Sequence, residues 1–330
     1  MPRPDSLVVR SRTTLTARDG TPLFVRHYEL AGRSADRVFL IVHGTGEHGE
    51  RYDHFARLAA RRGWRVVAGD LRGHGRSGGT PTHLLRFEQY LDDLDVLVDW
   101  LAVPADRLVM LAHSMGGLAG IRYAQTRPGR LSSLVPLSPL LAMRVPVAGW
   151  KIALGRLCLL VAPATRFRSP ITADQVTRCH EARRTRELDP LRNATVTASW
   201  YFRVLDAMYE AWSDAPSLKL PLLLLQGEQD EVVCPTAPLR WWPSVGSADK
   251  SLVTLKDHLH ELLTEPDWQH TADLVLRWAD KRVPSQTSVL LERGAPRRPS
   301  RGRDAADRRE PIPLAGVAFD LAAQALRKAG

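Results

Sequence analysis

The sequence predicts an α/β fold: a mostly parallel central sheet flanked by helices on both faces and interrupted by an inserted helical cap. Three observations predict it. Short apolar runs alternate with segments of helical period between residues 38 and 139. After Pro139 the alternation stops, and helical and charged stretches fill the chain to residue 216. It resumes at 217 and ends in a helical segment near 282. Parallel strands need long crossovers, commonly helices, so this rhythm is what such a sheet requires. The expected organisation is a core from 1–139 and 217–282, a cap over 140–216, and a basic tail over 283–330.

In chain order, "LVVRSRTTLTARDGTPLFVRHYEL" reads as a hairpin, two β-rich runs around an Asp-Gly turn. "DRVFLIVHG" is apolar throughout, as suits a strand buried on both faces. "RYDHFARLAARRG" has helical spacing and ends on Gly63, a helix stop. "WRVVAGD", "RLVMLAHS" and "LSSLVPLSP" read as strands; "RFEQYLDDLDVLVDWLA" and "MGGLAGIRYAQTRPG" read as the helices between them. Beyond the cap follow the strand in "LKLPLLLLQGEQD", a helix near 236–243, the strand "KSLVTLKD" and the helix "DWQHTADLVLRWADKR". The cap offers no buried strand. Its apolar segment "VPVAGWKIALGRLCLLVAPA" suits an acyl tunnel or a membrane surface, or simple packing on the core.

Composition narrows the class. At 330 residues and 44% apolar, the chain can bury a large core. Cys158, Cys179 and Cys234 are odd in number and form no CxxC pair, which argues against a disulfide framework or a zinc site. "MPRPDSLVVRSR" has no apolar stretch of the signal-peptide kind, and the longest greasy run is too short to span a bilayer. A cytoplasmic protein, peripheral at most to a membrane, is expected. From Lys281 onward 11 Lys/Arg face 5 Asp/Glu, so this stretch carries +6 of the net +10. "RGAPRRPSRGRDAADRREP" cannot form a core and is expected to be disordered, with a short helix in "LAGVAFDLAAQALRKAG". No aromatic interleaves its arginines and acids dilute them, so specific nucleic-acid recognition is not expected.

The candidate chemistry lies at strand ends. In "LAHSMGGLAG" Ser114 occupies a strand-to-helix turn whose neighbours must be small, and Ala112 and Gly116 are. The following helix would aim the Met115 N–H at the site, and Thr45 in "HGTGEH" offers a second backbone donor for an oxyanion. Of the acids in "GEQDEVV", Asp230 is the candidate orienting group, with Glu228 and Glu231 as surface alternatives. In "KDHLHELLTEPD" His260 is the candidate base and His258 the runner-up. The chain order Ser, Asp, His is the one used by hydrolases built on a strand–turn–helix elbow. "DLRGHGRS", with Arg72, His74 and Arg76, is better read as a scaffold turn than as a phosphate loop. Cys234 is a bystander candidate.

Four blocks carry a family resemblance: "HGTGEHGERY" (43–52), "DLRGHGRSGG" (70–79), "HSMGG" (113–117) and "HELLTE" (260–265). Over roughly residues 10–282 the chain resembles the monoacylglycerol lipase/lysophospholipase branch of the α/β-hydrolase superfamily. The resemblance implies the α/β-hydrolase fold, His260 as base, Thr45 and Met115 as oxyanion donors, and Glu47 and Arg51 near a glycerol moiety. Ala112 departs from the family's usual elbow glycine, and the basic tail has no counterpart. The implied activity is hydrolysis of a lipid-like carboxylic ester, with no metal or organic cofactor. The alternatives are a carboxylesterase or thioesterase for a small soluble ester, and a non-catalytic module recruiting partners through the tail.

Overall fold

The computed structural model describes residues 8–32, 35–144 and 147–285, and the expected tail lies outside them from residue 286 onward. An eight-stranded sheet has the order β1-β2-β4-β3-β5-β6-β9-β10. β1 (Val8–Thr16) and β2 (Pro22–Leu30) pair antiparallel, and β2 pairs antiparallel with β4 (Arg65–Gly69). From β4 on, every pairing is parallel, through β3 (Val38–Val42), β5 (Leu108–His113), β6 (Ser133–Leu137), β9 (Leu222–Gly227) and β10 (Lys250–Leu255).

The central strands β3, β5, β6 and β9 are buried at every position, because helices cover both faces. Successive side chains of one strand serve opposite cores. Leu40, Val42, Met110, Ala112 and Leu224 join one cluster with α2 (Glu88–Leu101) and α3 (Met115–Thr126). Phe39, Ile41, Val109, Leu111 and Leu225 join the other with α1 (Asp53–Arg61) and α8 (Trp268–Arg282). The edge strand β1 alternates instead, which fits one solvated face. α1 stops where Gly63 takes φ +79°, and the Gly63 and Trp64 amides close on the Ala60 and Ala59 carbonyls.

Between β6 and β9 lie α4 (Gly149–Val161), α5 (His180–Leu188) and α6 (Ala198–Ser213). A small antiparallel pair, β7 (Arg166–Arg168) with β8 (Thr195–Thr197), joins them. Three-residue strands with mixed exposure leave no period to read, which is why the sequence shows only helices here. α6 is capped by the Thr197 hydroxyl, which accepts from Trp200 N–H at 3.1 Å, and packs along α3. Arg122 on α3 bonds Asp214 and Glu210 across that seam, while Trp200, Val204 and Ala207 enter the core. Thus the last helix of the 140–216 segment is part of the main packing, while α4 buries only Gly155. β9 leads through the short helix α7 (Ala237–Trp241) to β10.

Candidate active site

Ser114 links β5 to α3 at φ +55° and ψ −119°. Its N–H donates to Leu137 O on β6 at 3.0 Å, and its own carbonyl accepts from Leu118 and Leu140. A Cβ at Gly116 would stand 2.3 Å from His43 O, and one at Gly44 would stand 3.0 Å from the Ser114 Cβ. The first approach admits only glycine, and the second leaves a side chain little room. Ala112, where glycine is usual, is accommodated by Gly120 opposite, whose added Cβ would lie 3.1 Å from the Ala112 methyl.

His260 Nε2 lies 2.8 Å from Ser114 Oγ, and its Nδ1 lies 2.8 Å from Asp230 Oδ2. Ser114, His260 and Asp230 are all buried. Asp230 Oδ1 accepts from the Val232 and Val233 amides at 2.8 and 2.9 Å, and Gln226 Nε2 donates to Oδ2 at 3.1 Å. Burial alone would raise this carboxyl; the His260 ring and the two amides outweigh it and hold the group below the usual carboxylate range. Three residues from β5, β9 and the turn after β10 therefore meet in one hydrogen-bonded line.

His113 lies beside this line, its ring tilted 52° to that of His260 with centroids 4.7 Å apart. Its Nδ1 lies 3.1 Å from Leu137 O. Burial, and next the His260 charge, push it down to about 4, so it stays neutral near pH 7. His258 is not part of the line: Nδ1 bonds Lys256 O and Nε2 faces Asp267. Cys234 contacts Thr236 and does not line the cavity. The "DLRGHGRS" segment is a turn held by ion pairs, with Arg72 bonded to Asp93 and Asp19, and Asp70 bonded to Arg26 and to the Gly49 and Arg76 amides.

Thr45 lines the cavity, and Met115 opens α3, where the first amides have no helical partner. Glu47 also lines the cavity, but its oxygens face inward to the scaffold. Oε1 accepts from Gly44 N–H at 2.5 Å and Tyr52 Oη at 2.8 Å; Oε2 accepts from Arg51 Nε at 3.2 Å. Arg51 stands behind it, outside the lining of the main cavity, and reaches Glu261 Oε2 at 2.5 Å. Glu261 also accepts from Arg186 Nη1 at 2.7 Å. Burial would raise both carboxyls and is more than reversed, at Glu47 by Arg51 and by the His113 and His43 rings, which carry charge only in acid, and at Glu261 by Arg51 and Arg186. Sequence reasoning missed Glu261 and Arg186. Glu261 sat in view beside His260, whereas Arg186 lies 75 residues from its partner and carries no local signal.

These groups floor a cavity of about 520 Å³, walled by apolar side chains including Leu140, Met143, Ile152, Phe167, Trp200 and Phe202. Its size is that of an ordinary small-ligand site. Among the described residues no group of three or more His, Cys, Asp or Glu is arranged to hold a metal ion.

A mostly parallel sheet of this order, with a serine elbow after its central strand and a helical insertion above, is an α/β-hydrolase. The family described as serine aminopeptidase, S33 matches residues 33–267. Phospholipase YtpA of Bacillus subtilis is 29% identical over 254 residues, covering 76% of this chain and 98% of that protein. Monoglyceride lipase of Rattus norvegicus is 30% identical over 269 residues, covering 79% and 87%. The crystal structure of Paleococcus ferrophilus monoacylglycerol lipase matches with a TM-score of 0.70 at 26% identity, covering 83% of this chain and 99% of that one. The chain belongs to the serine aminopeptidase S33 family, in its monoacylglycerol lipase branch.

Proposed function

We propose that the protein is a serine hydrolase of lipid-like carboxylic esters, cleaving monoacylglycerols or lysophospholipids through an acyl-enzyme. One observation carries the reading: Ser114 Oγ lies 2.8 Å from His260 Nε2 at the floor of an apolar cavity. His260 takes the Ser114 proton as the hydroxyl oxygen attacks the ester carbonyl, and Asp230 steadies the resulting imidazolium. The Thr45 and Met115 amides hold the oxyanion; losing one such donor costs roughly 3 kcal/mol. His260 then returns the proton to the departing alcohol. Water, deprotonated by the same imidazole, attacks the acyl carbonyl and releases the fatty acid. Glu47 fixes the loop that presents Thr45, by accepting from Gly44 N–H, and Arg51 braces Glu47 against Glu261.

The relatives named above, a phospholipase and monoglyceride lipases, support a lipid substrate. So does α4, which lines the cavity with Lys151, Ile152 and Gly155 and exposes Trp150, Leu154, Leu157, Leu160 and Val161. That spacing of four and three residues is one helix face, and we read it as a surface that rests on lipid during substrate capture. No described helix is long and apolar enough to cross a membrane. The test is a panel of monoacylglycerols and lysophospholipids of increasing chain length beside acyl-thioesters and water-soluble esters. The reading expects the glycerol-based lipids to be preferred; preference for the small soluble esters would make the protein a carboxylesterase instead.

A further inference from the structure

The end of the cavity beside Glu47 holds more positive charge than its ion pairs consume. Glu47 and Glu261 are the two carboxylates in the lining, and both are saturated: Glu47 by Gly44, Tyr52 and Arg51, Glu261 by Arg51, Arg186 and Thr264. Two carboxylates and two arginines cancel. Arg168, an exposed residue of β7, also lines the cavity, and among the described residues its guanidinium has neither an ion pair nor a hydrogen bond. Arg192, which lies outside the lining, likewise has neither among the described residues, and Arg168 is one of the charges it feels. Burial, then repulsion from Arg186, Arg51 and, more weakly, Arg168, lower its affinity for its proton, as expected where guanidinium groups crowd without counter-ions. The neighbouring Asp189 does not supply one, because its carboxylate turns to His48 at 2.7 Å and to the Leu191 amide.

Chain geometry ties these arginines to the reacting centre. Asn193 N–H donates to Gly46 O at 2.9 Å, and the Asn193 carbonyl sits so close that a Cβ on Gly46 would stand 2.3 Å from it. Arg192 precedes that contact. Arg168 pairs with Thr195 in the β7–β8 ladder just after it, and Ser169 N–H donates to Ala194 O. Both arginines therefore flank the segment seated on the loop that presents Thr45. This segment is therefore the part of the 140–216 insertion that touches the Thr45 loop.

We propose that Arg168 and Arg192, assisted by Arg186, recognise a phosphate on the alcohol half of the substrate. The preferred ester is then a lysophospholipid with an anionic head, not a neutral monoacylglycerol. The inference rests on the hydrolase reading above and narrows it. Guanidinium groups suit the task, since their planar forks match phosphate oxygens and they stay charged when partly buried.

The test uses the purified full chain with hexanoylglycerol and hexanoylglycerol phosphate, both kept monomeric so that no lipid surface gathers charge. The phosphate ester should give a kcat/KM about tenfold or more above the neutral ester, a gap that narrows as salt rises. Arg168→Ala with Arg192→Ala should cut the ratio of phosphate to neutral ester about tenfold, and Lys at both positions should restore part of it. If the double variant melts early, Arg192→Ala alone is read in the same way. An equal or better neutral ester, or a ratio the variants leave unmoved, overturns the inference while the hydrolase reading stands. Neither ester being cleaved, with a fluorophosphonate leaving Ser114 unlabelled, would overturn both.

Discussion

A serine held at φ +55° costs on the order of 1–3 kcal/mol, and its surroundings have to offset that. Three hydrogen bonds, from Ser114 N–H to Leu137 and from Leu118 and Leu140 to the Ser114 carbonyl, pin the turn, and Gly44 and Gly116 leave it room. Gly116→Ala forces a methyl within 2.3 Å of a backbone oxygen, so hydrolysis should be lost and the melting temperature should drop; a variant with full activity would refute the packing argument. Asp230→Asn keeps the shape of the pair but removes the charge opposite His260. Activity should drop roughly 10³–10⁴-fold while substrate binding changes little, and steady-state kinetics with an equilibrium binding assay separates the two. Ser114 and Asp230 were legible because each follows a strand that reads as buried, with glycine close by, and His260 because it opens the "HELLTE" block. The braces were not: that the Glu47 oxygens bond Gly44, Tyr52 and Arg51 depends on partners that carry no local signal.

At the scale of elements, the parallel strands could be read because burial on both faces gives an uninterrupted apolar run, as in "VFLIV" and "LLLLQG". β7 and β8 gave no such signal, since three residues pairing at the surface need no pattern. α4 was legible as an apolar helix but ambiguous in purpose, for tunnel lining, lipid contact and core packing all demand the same residue types. Core packing is excluded by the exposure of Leu160 at 82% and Val161 at 73%. Leu157→Asp with Leu160→Asp should weaken binding to phospholipid vesicles in a sedimentation assay while leaving turnover of a soluble nitrophenyl ester within about twofold, as surface changes usually do. Unchanged vesicle binding would remove α4 from the lipid-facing role.

At the scale of the whole body, buried histidines set the pH response. Burial, then His43, pushes His74 down to about 3, and burial also lowers His43 and, with His260, brings His113 to about 4. These groups are neutral when folded and take up protons on unfolding below about pH 6.5. Their contribution is complete above that value and declines as pH falls toward their folded values, by about 1.4 kcal/mol per pH unit for each group at most. The depressed Asp230, Glu47 and Glu261 act lower, losing their contribution as pH drops beneath the ordinary carboxylate range. The melting temperature should therefore be several degrees lower at pH 5 than at pH 7; a flat or rising profile would contradict this account of the buried rings.

The central claim is that one alcohol, Ser114, is made nucleophilic by His260 and Asp230. Peptide mapping by mass spectrometry after reaction with a fluorophosphonate tests it most directly, comparing the wild type with Ser114→Ala and His260→Gln. The account predicts a single adduct on the peptide carrying Ser114, absent in the first variant and formed far more slowly in the second. An adduct on another residue, or equal labelling without the imidazole, would contradict it.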